Sequence, residues 1–390
     1  MTLRYAAQSA DVRIRGAKLV RIVQEVEGES LLVGEMPEGC RLCANGSKMV
    51  LFVTGLCDSG CFYCPLSQEK SNEDVIYADE MIVSNEGDIL AEAESIGAEG
   101  AGFSGGDPLC VLERTLDYLA LLKSNHGEQF HIHLYTSQAY VEREVLEQLR
   151  DAGLDEIRFH PMSDDWSGVE AAIELGMRVG IEVPAIPGER DSLVTVAKRA
   201  EEMGVSFLNI NELESSETNF DSLLSHGLKL RSTDSSAILG SAELAREVIE
   251  WASENLETLS VHYCSARFKD SVQMKNRLQR RIERTIREFE VPADDEPLVI
   301  LGLIRAPHGS ELSLDELEAI QDTLEGDFDV PLDLMHVDML RSRIEIAGWI
   351  LTEIAEELKG RLTKVGITHE LGIVVEYPSW DRLQTQFDPL

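Results

Sequence analysis

No apolar run in the 390 residues approaches the roughly 20 needed to span a bilayer. The opening MTLRYAAQSADVRIRGAK has no apolar core of a signal peptide. Both absences predict a cytoplasmic protein with no membrane partner. Lysine is scarce, and Lys and Arg together number 35 against 71 Asp and Glu, a net charge of −36. So acidic a chain opposes loose binding to nucleic-acid phosphates. It suits a protein dissolved in molar salt, where the Debye length falls to about 3 Å and self-repulsion is screened. A halophilic host, an archaeon, is therefore expected. Low-complexity linkers and internal repeats are also missing. The chain is too long for one small domain, and 43% hydrophobic residues can bury a sizeable core. Seven cysteines in a cytoplasmic setting are better read as ligands than as disulfides.

Three of them, Cys57, Cys61 and Cys64, stand in CDSGCFYC after the apolar stretch 49–56, with Tyr63 just before the last. Three thiolates can hold three corners of a cubic iron–sulfur cluster and leave the fourth iron open to a small molecule. Electron-transfer clusters use four cysteines instead. A zinc site or a disulfide set is the alternative, although no fourth Cys or His lies nearby. About forty residues on, GAGFSGGDP reads as a short strand ending in Gly105, Gly106, Asp107 and Pro108. Glycines let a backbone approach a ligand closely, and an acid beside them can accept a hydrogen bond from an ammonium group. Alone, such a turn is ordinary.

With both motifs at this distance, the chain resembles the radical S-adenosylmethionine (radical SAM) superfamily over about residues 46–215. The resemblance implies a [4Fe-4S] cluster on Cys57, Cys61 and Cys64 whose open iron chelates the methionine part of S-adenosyl-L-methionine (SAM). It implies reductive cleavage of SAM to a 5′-deoxyadenosyl radical, fed by a one-electron donor such as ferredoxin or flavodoxin. The family's second motif is Gly-Gly-Glu-Pro, which binds the SAM amino group; here Asp107 replaces the Glu, with a shorter reach. By overall pattern the chain is similar to an uncharacterised archaeal branch related to pyruvate formate-lyase activating enzymes. Simple activating enzymes are shorter, so the extra modules point to another substrate. A protein or peptide ranks first, a tRNA or a glycyl-radical enzyme after it. A non-catalytic iron–sulfur or zinc protein, serving redox sensing or interaction, is the rival from a different class.

Strand patterns at 49–56, 100–103, 131–135, 156–159, 179–183 and 207–210 alternate with helical patterns at 85–96, 111–124, 141–152, 167–175 and 192–203. Such alternation predicts parallel βα units in an α/β fold. Six units resemble the partial (βα)6 TIM-like barrel of the superfamily, whose active sites lie at the C-terminal strand ends. Four spans follow: a 1–45 extension with a strand pair about Gly28, the 46–215 core, a mostly helical 216–295 segment, and a 296–390 α+β module. In that last module a strand at 298–304, a long helix at 343–358 and a final strand at 371–377 are expected.

Further candidates sit at the strand ends. Thr136 and Ser137 follow the third strand, where the resemblance implies SAM contacts; a helix N-cap is the alternative. Arg158 and His160 share one face of the fourth strand. Arg158 either binds the SAM carboxylate or forms a buried ion pair. The resemblance places Glu182 near adenine, and Asn209, Asn211 and Glu212 are candidates for SAM or substrate contact. A second cysteine group, Cys40 and Cys43 in GCRLC with His262 and Cys264 in VHYCSARFKD, has ligand types suited to zinc or a single iron. It equally suits an auxiliary iron–sulfur cluster, or is three unconnected thiols. Cys110 is left over as a buried thiol. Finally, a basic stretch at 267–287 includes Arg280, Arg281 and Arg284, which could bind phosphates or an acidic peptide, or merely form a solvated helix with i,i+4 pairs.

Overall fold

The computed structural model describes residues 12–15 and 18–390. The first eleven residues of the expected N-terminal extension lie outside the described residues. The chain divides into two compact units, the second comprising 95–97 and 275–390 and the first the remainder. Their boundary at 274/275 falls inside the span read from sequence as one helical segment.

In the first unit seven parallel strands run in sequential order. They are preceded in the chain by β1 (Val23–Glu25), β2 (Leu31–Val33) and a short helix, α1 (Glu38–Ala44). The parallel strands are β3 (Lys48–Phe52), β4 (Gly100–Ser104), β5 (His131–Thr136), β6 (Glu156–Phe159), β7 (Arg178–Ala185), β8 (Phe207–Glu212) and β9 (Ser260–Cys264). Each pairs in parallel with the next. Helices Glu86–Ile96, Leu112–His126, Arg143–Asp151, Ser167–Glu174 and Arg190–Met203 connect β3 to β8 in turn. This is the partial TIM-like barrel expected, with one strand more than the six. The seventh, β9, lies within the 216–295 span, between its helices Ser241–Asn255 and Lys275–Thr285.

Period-2 patterning explains the packing. In β5, Ile132 and Leu134 are fully buried, while Tyr135, on the opposite face, lines the cavity inside the barrel. Complete burial of each such aliphatic side chain contributes about 1.5–3 kcal/mol. The strand pair expected about Gly28 is present: β1 and β2 pair antiparallel, and β2 pairs antiparallel with β9. At the other end of the sheet, Tyr77–Ala78 adds antiparallel to β3.

The second unit is an antiparallel sheet with two long helices. Its main strands are β10 (Val299–Arg305), β11 (Met335–Asp338), β12 (Arg343–Ile346), β13 (Glu370–Glu376) and β14 (Gln384–Pro389), in the order β11–β12–β10–β13–β14, with the short strand Val291–Pro292 pairing antiparallel to β10 off that path. The helix expected from 343 begins only at Gly348. Residues 343–346 form β12, because Arg343 and Glu345 alternate with the fully buried Ile344 and Ile346. The strand expected last is β13, and β14 follows it.

Candidate active site

The loop after β3 carries Cys57, Cys61 and Cys64, each half-buried and without a disulfide partner. Its start is fixed from two sides. The Thr54 hydroxyl donates to Asp74 at 2.9 Å, and Arg114 grips both Asp74 oxygens at 2.5 and 2.9 Å. That grip holds the Asp74 pKa down at about 2. From the other side, the Gly106 and Asp107 N–H groups donate to the Thr54 and Leu56 carbonyls, each at 2.8 Å. A Cβ on Gly105 would stand 2.3 Å from the Thr54 oxygen, and one on Gly106 2.3 Å from the Leu56 oxygen. The two glycines therefore serve a close approach between the turn and the cysteine loop, where sequence reasoning expected an approach to a ligand.

Asp107 is also spoken for. Its carboxylate accepts from the Leu109 N–H, the Thr136 hydroxyl, and both the N–H and hydroxyl of Ser137, at 2.8–3.1 Å. The residue is 1% exposed. It caps the turn at Pro108 and ties β4 to β5; its oxygens are aimed at protein donors and not at a ligand's ammonium. Thr136 and Ser137 accordingly act as donors to Asp107, and Ser59 of the cysteine loop donates to the Ser137 hydroxyl at 2.7 Å.

Tyr63 sits on a relay that leads into the barrel. The His160 Nδ1–H donates to the Glu182 carbonyl at 2.7 Å, so Nε2 is left to accept from the Tyr63 hydroxyl, also at 2.7 Å. Burial pushes the Tyr63 pKa up and the His160 pKa down; both groups stay neutral.

Beneath lies a cavity of about 460 Å³, within the usual range of ligand sites. Arg158 crosses it, donating to Glu156 at 2.7 Å and to Glu182 at 3.1 Å. Burial opposes its charge, but Cys40, Tyr135 and the two carboxylates outweigh burial and raise its pKa. The buried ion pair is thus the observed arrangement, with the Arg158 Nη2 making no hydrogen bond among the described residues. Burial likewise pushes Glu182 upward, yet Arg158 and the amides of Asn211 and Asn209 bring its pKa below the ordinary value. Asn211 donates to Glu182 at 3.0 Å. Glu212 accepts from Tyr263, Arg231 and the Ala266 N–H at 2.8–3.1 Å; it secures the chain after β9 and also lines the cavity.

Cys40, Cys43, His262 and Cys264 line this same cavity. Arg280, Arg281 and Arg284 do not; they lie in the second unit, where Arg280 donates to the Ile96 and Gly97 carbonyls. Elsewhere in the basic stretch, Arg267 pairs with Glu29, Lys269 with Glu214, and Arg287 with Glu290 and Glu345. Sequence reasoning missed Lys48 and Tyr135, which line the cavity. The period-2 run HIHLYT held the signal for Tyr135, since it shares one strand face with His131 and His133.

Half-buried thiols with no fourth cysteine in their loop, one of which, Cys64, lines the cavity beneath, are a donor set that fits a cubic cluster with one open iron. The model of the radical SAM superfamily matches residues 51–166. A protein of Methanocaldococcus jannaschii, named provisionally as a glycyl-radical enzyme activating enzyme, is 35% identical over 91% of this chain and 93% of its own. The chain belongs to the radical SAM superfamily. It is a radical SAM enzyme, whose cofactors are a [4Fe-4S] cluster and SAM. The reduced cluster supplies the electron that splits SAM to give a 5′-deoxyadenosyl radical.

Residues 298–390 match a domain of unknown function (DUF8061). Among solved structures, SuiB of Streptococcus suis bound to precursor peptide SuiA is 13% identical, with a TM-score of 0.40 over 59% of this chain and 52% of that one. Coproporphyrinogen III oxidase (HemN) of Escherichia coli is 13% identical, with a TM-score of 0.35 over 56% of each chain. The chain thus spans little more than half of either structure. No helix among the described residues is long and apolar enough to cross a membrane.

Proposed function

We propose that Cys57, Cys61 and Cys64 hold the [4Fe-4S] cluster, and that the enzyme activates or modifies a protein or peptide. The likeness at 35% identity over nearly the whole chain to a protein named for activating glycyl-radical enzymes carries the substrate class. The site's geometry supports the cluster assignment: the cysteine loop is hydrogen-bonded to the Gly105–Gly106–Asp107 turn directly above the cavity. In this reading the turn positions the loop, Tyr63 and His160 border the SAM site, and Glu182, Asn209 and Asn211 face substrate or SAM from within the barrel.

A one-electron donor of the ferredoxin or flavodoxin class would reduce the cluster. Seven free cysteines fit a reducing, cytoplasmic setting, and the net charge of −36 fits a halophilic host, an archaeon.

The experiment uses the full chain, reconstituted anaerobically and given dithionite and SAM. 5′-Deoxyadenosine should form, and Cys57→Ala should abolish it; identical yields from both proteins would refute the cluster assignment. A candidate glycyl-radical partner added to the same mixture should gain the doublet of a protein radical by electron paramagnetic resonance (EPR). An unmodified partner with 5′-deoxyadenosine still forming would remove the substrate proposal and leave the cofactor chemistry intact.

A further inference from the structure

Two short elements direct four metal-binding side chains into the barrel. In α1, Cys40 and Cys43 stand three residues apart and so share a helix face. In β9, His262 and Cys264 stand two apart and share the inward face. All four line the one cavity, and Cys43 and Cys264 pack together against Phe268. None of the three thiols is more than 9% exposed.

His262 is oriented as a metal-bound imidazole is. Its Nδ1 lies 2.7 Å from the Asn209 Oδ1. An amide oxygen only accepts, so Nδ1 carries the proton, and the Asn209 amide nitrogen is left on the side of Glu182. Nε2 then presents its lone pair, buried and with no partner among the described residues. A ligating histidine that donates its other N–H to a carbonyl is the usual supporting arrangement at metal centres.

Cationic charge surrounds the thiols. Lys48, only 7% exposed, lies beside Cys43 and Cys40 and donates to no acceptor among the described residues. Lys269 lies beside Cys264. Lys48 lines the cavity, where an anionic centre would pair with its ammonium. Among the described residues no three Cys, His, Asp or Glu side chains are gathered closely enough for a single metal ion.

We infer that Cys40, Cys43, Cys264 and His262 hold a second iron–sulfur cluster, at a wall of the cavity that Tyr63 and Cys64 also line. It would face the SAM site across the space open to substrate, with Lys48 and Lys269 balancing its negative charge.

The test removes the first cluster. The Cys57→Ala/Cys61→Ala/Cys64→Ala protein is reconstituted anaerobically with iron and sulfide, and should retain about four of each per chain with a thiolate charge-transfer band near 400 nm. Adding Cys40→Ser and Cys43→Ser should abolish both signals while far-ultraviolet circular dichroism is preserved. Should those variants misfold, the triple variant still decides. Reduced after 15N-histidine labelling, it should give nitrogen couplings in pulsed EPR that His262→Gln removes. A triple variant that holds no iron, or zinc alone, would overturn the inference, as would iron retained after loss of Cys40 and Cys43 from a folded protein.

Discussion

At the scale of single residues, Asp107 carries more of the site than its position in a turn suggests. A carboxylate that accepts from Leu109, Thr136 and Ser137 joins two barrel strands and, through Ser59, steadies the cysteine loop. Asp107→Asn would turn an amide NH2 toward the backbone N–H of Leu109 or of Ser137, neither of which can accept, and would remove the negative charge. A loss of about 1–3 kcal/mol is expected, seen as a lower melting temperature, with weaker SAM binding. A variant that melts and binds SAM like the wild type would show that the charge is dispensable. Asp107 also marks where sequence reading stops. The Cys57/Cys61/Cys64 and Gly105–Pro108 motifs were legible because each is contiguous and their types are few. The partners of Asp107 were not, since Thr136 and Ser137 come from another strand and suggested ligand contacts in their own right. Arg158 left two readings open for the same reason; its ion pairs with Glu156 and Glu182 depend on strand positions that the sequence does not print.

Among the elements, the junction between the β3 loop and the β4 turn is the most tightly fitted. Gly106→Ala would set a Cβ 2.3 Å from the Leu56 oxygen and 2.6 Å from the Gly55 oxygen. Backbone oxygens cannot rotate away, so one loop must move, at an overpacking cost of about 1–3 kcal/mol. Reconstituted iron should fall and the melting temperature with it; wild-type iron content would mean the loop tolerates the shift. The barrel strands were readable because each is a short apolar run followed by a helical period. β9 escaped because VHYC is polar at alternate positions and lies between helical patterns. β12 escaped because RIEI was absorbed into the following helix, although its period is two. Its charged face is satisfied internally: Arg343 pairs with Asp338, Glu345 and Glu376, all buried.

For the whole molecule, 71 acidic against 35 basic side chains leave a large uncompensated charge after every pairing. Self-repulsion of this kind weakens a compact state and is relieved by screening. The melting temperature should therefore rise by several degrees between about 0.1 M and about 2 M KCl, where the Debye length shrinks from about 10 Å to a few ångström. A flat or falling melting temperature would count against adaptation to salt. This was legible from composition alone, because net charge needs no knowledge of the fold.

The pairing of β2 with β9 has a consequence for how the chain can be cut. The motifs that identify the family lie within residues 46–215, yet β8 is covered by β9, and β9 in turn by β2 from before the first motif. A fragment trimmed to the recognisable core would bare the edge of β8, and unpaired edges seed aggregation. The segment that names the protein is not one that can be expressed by itself.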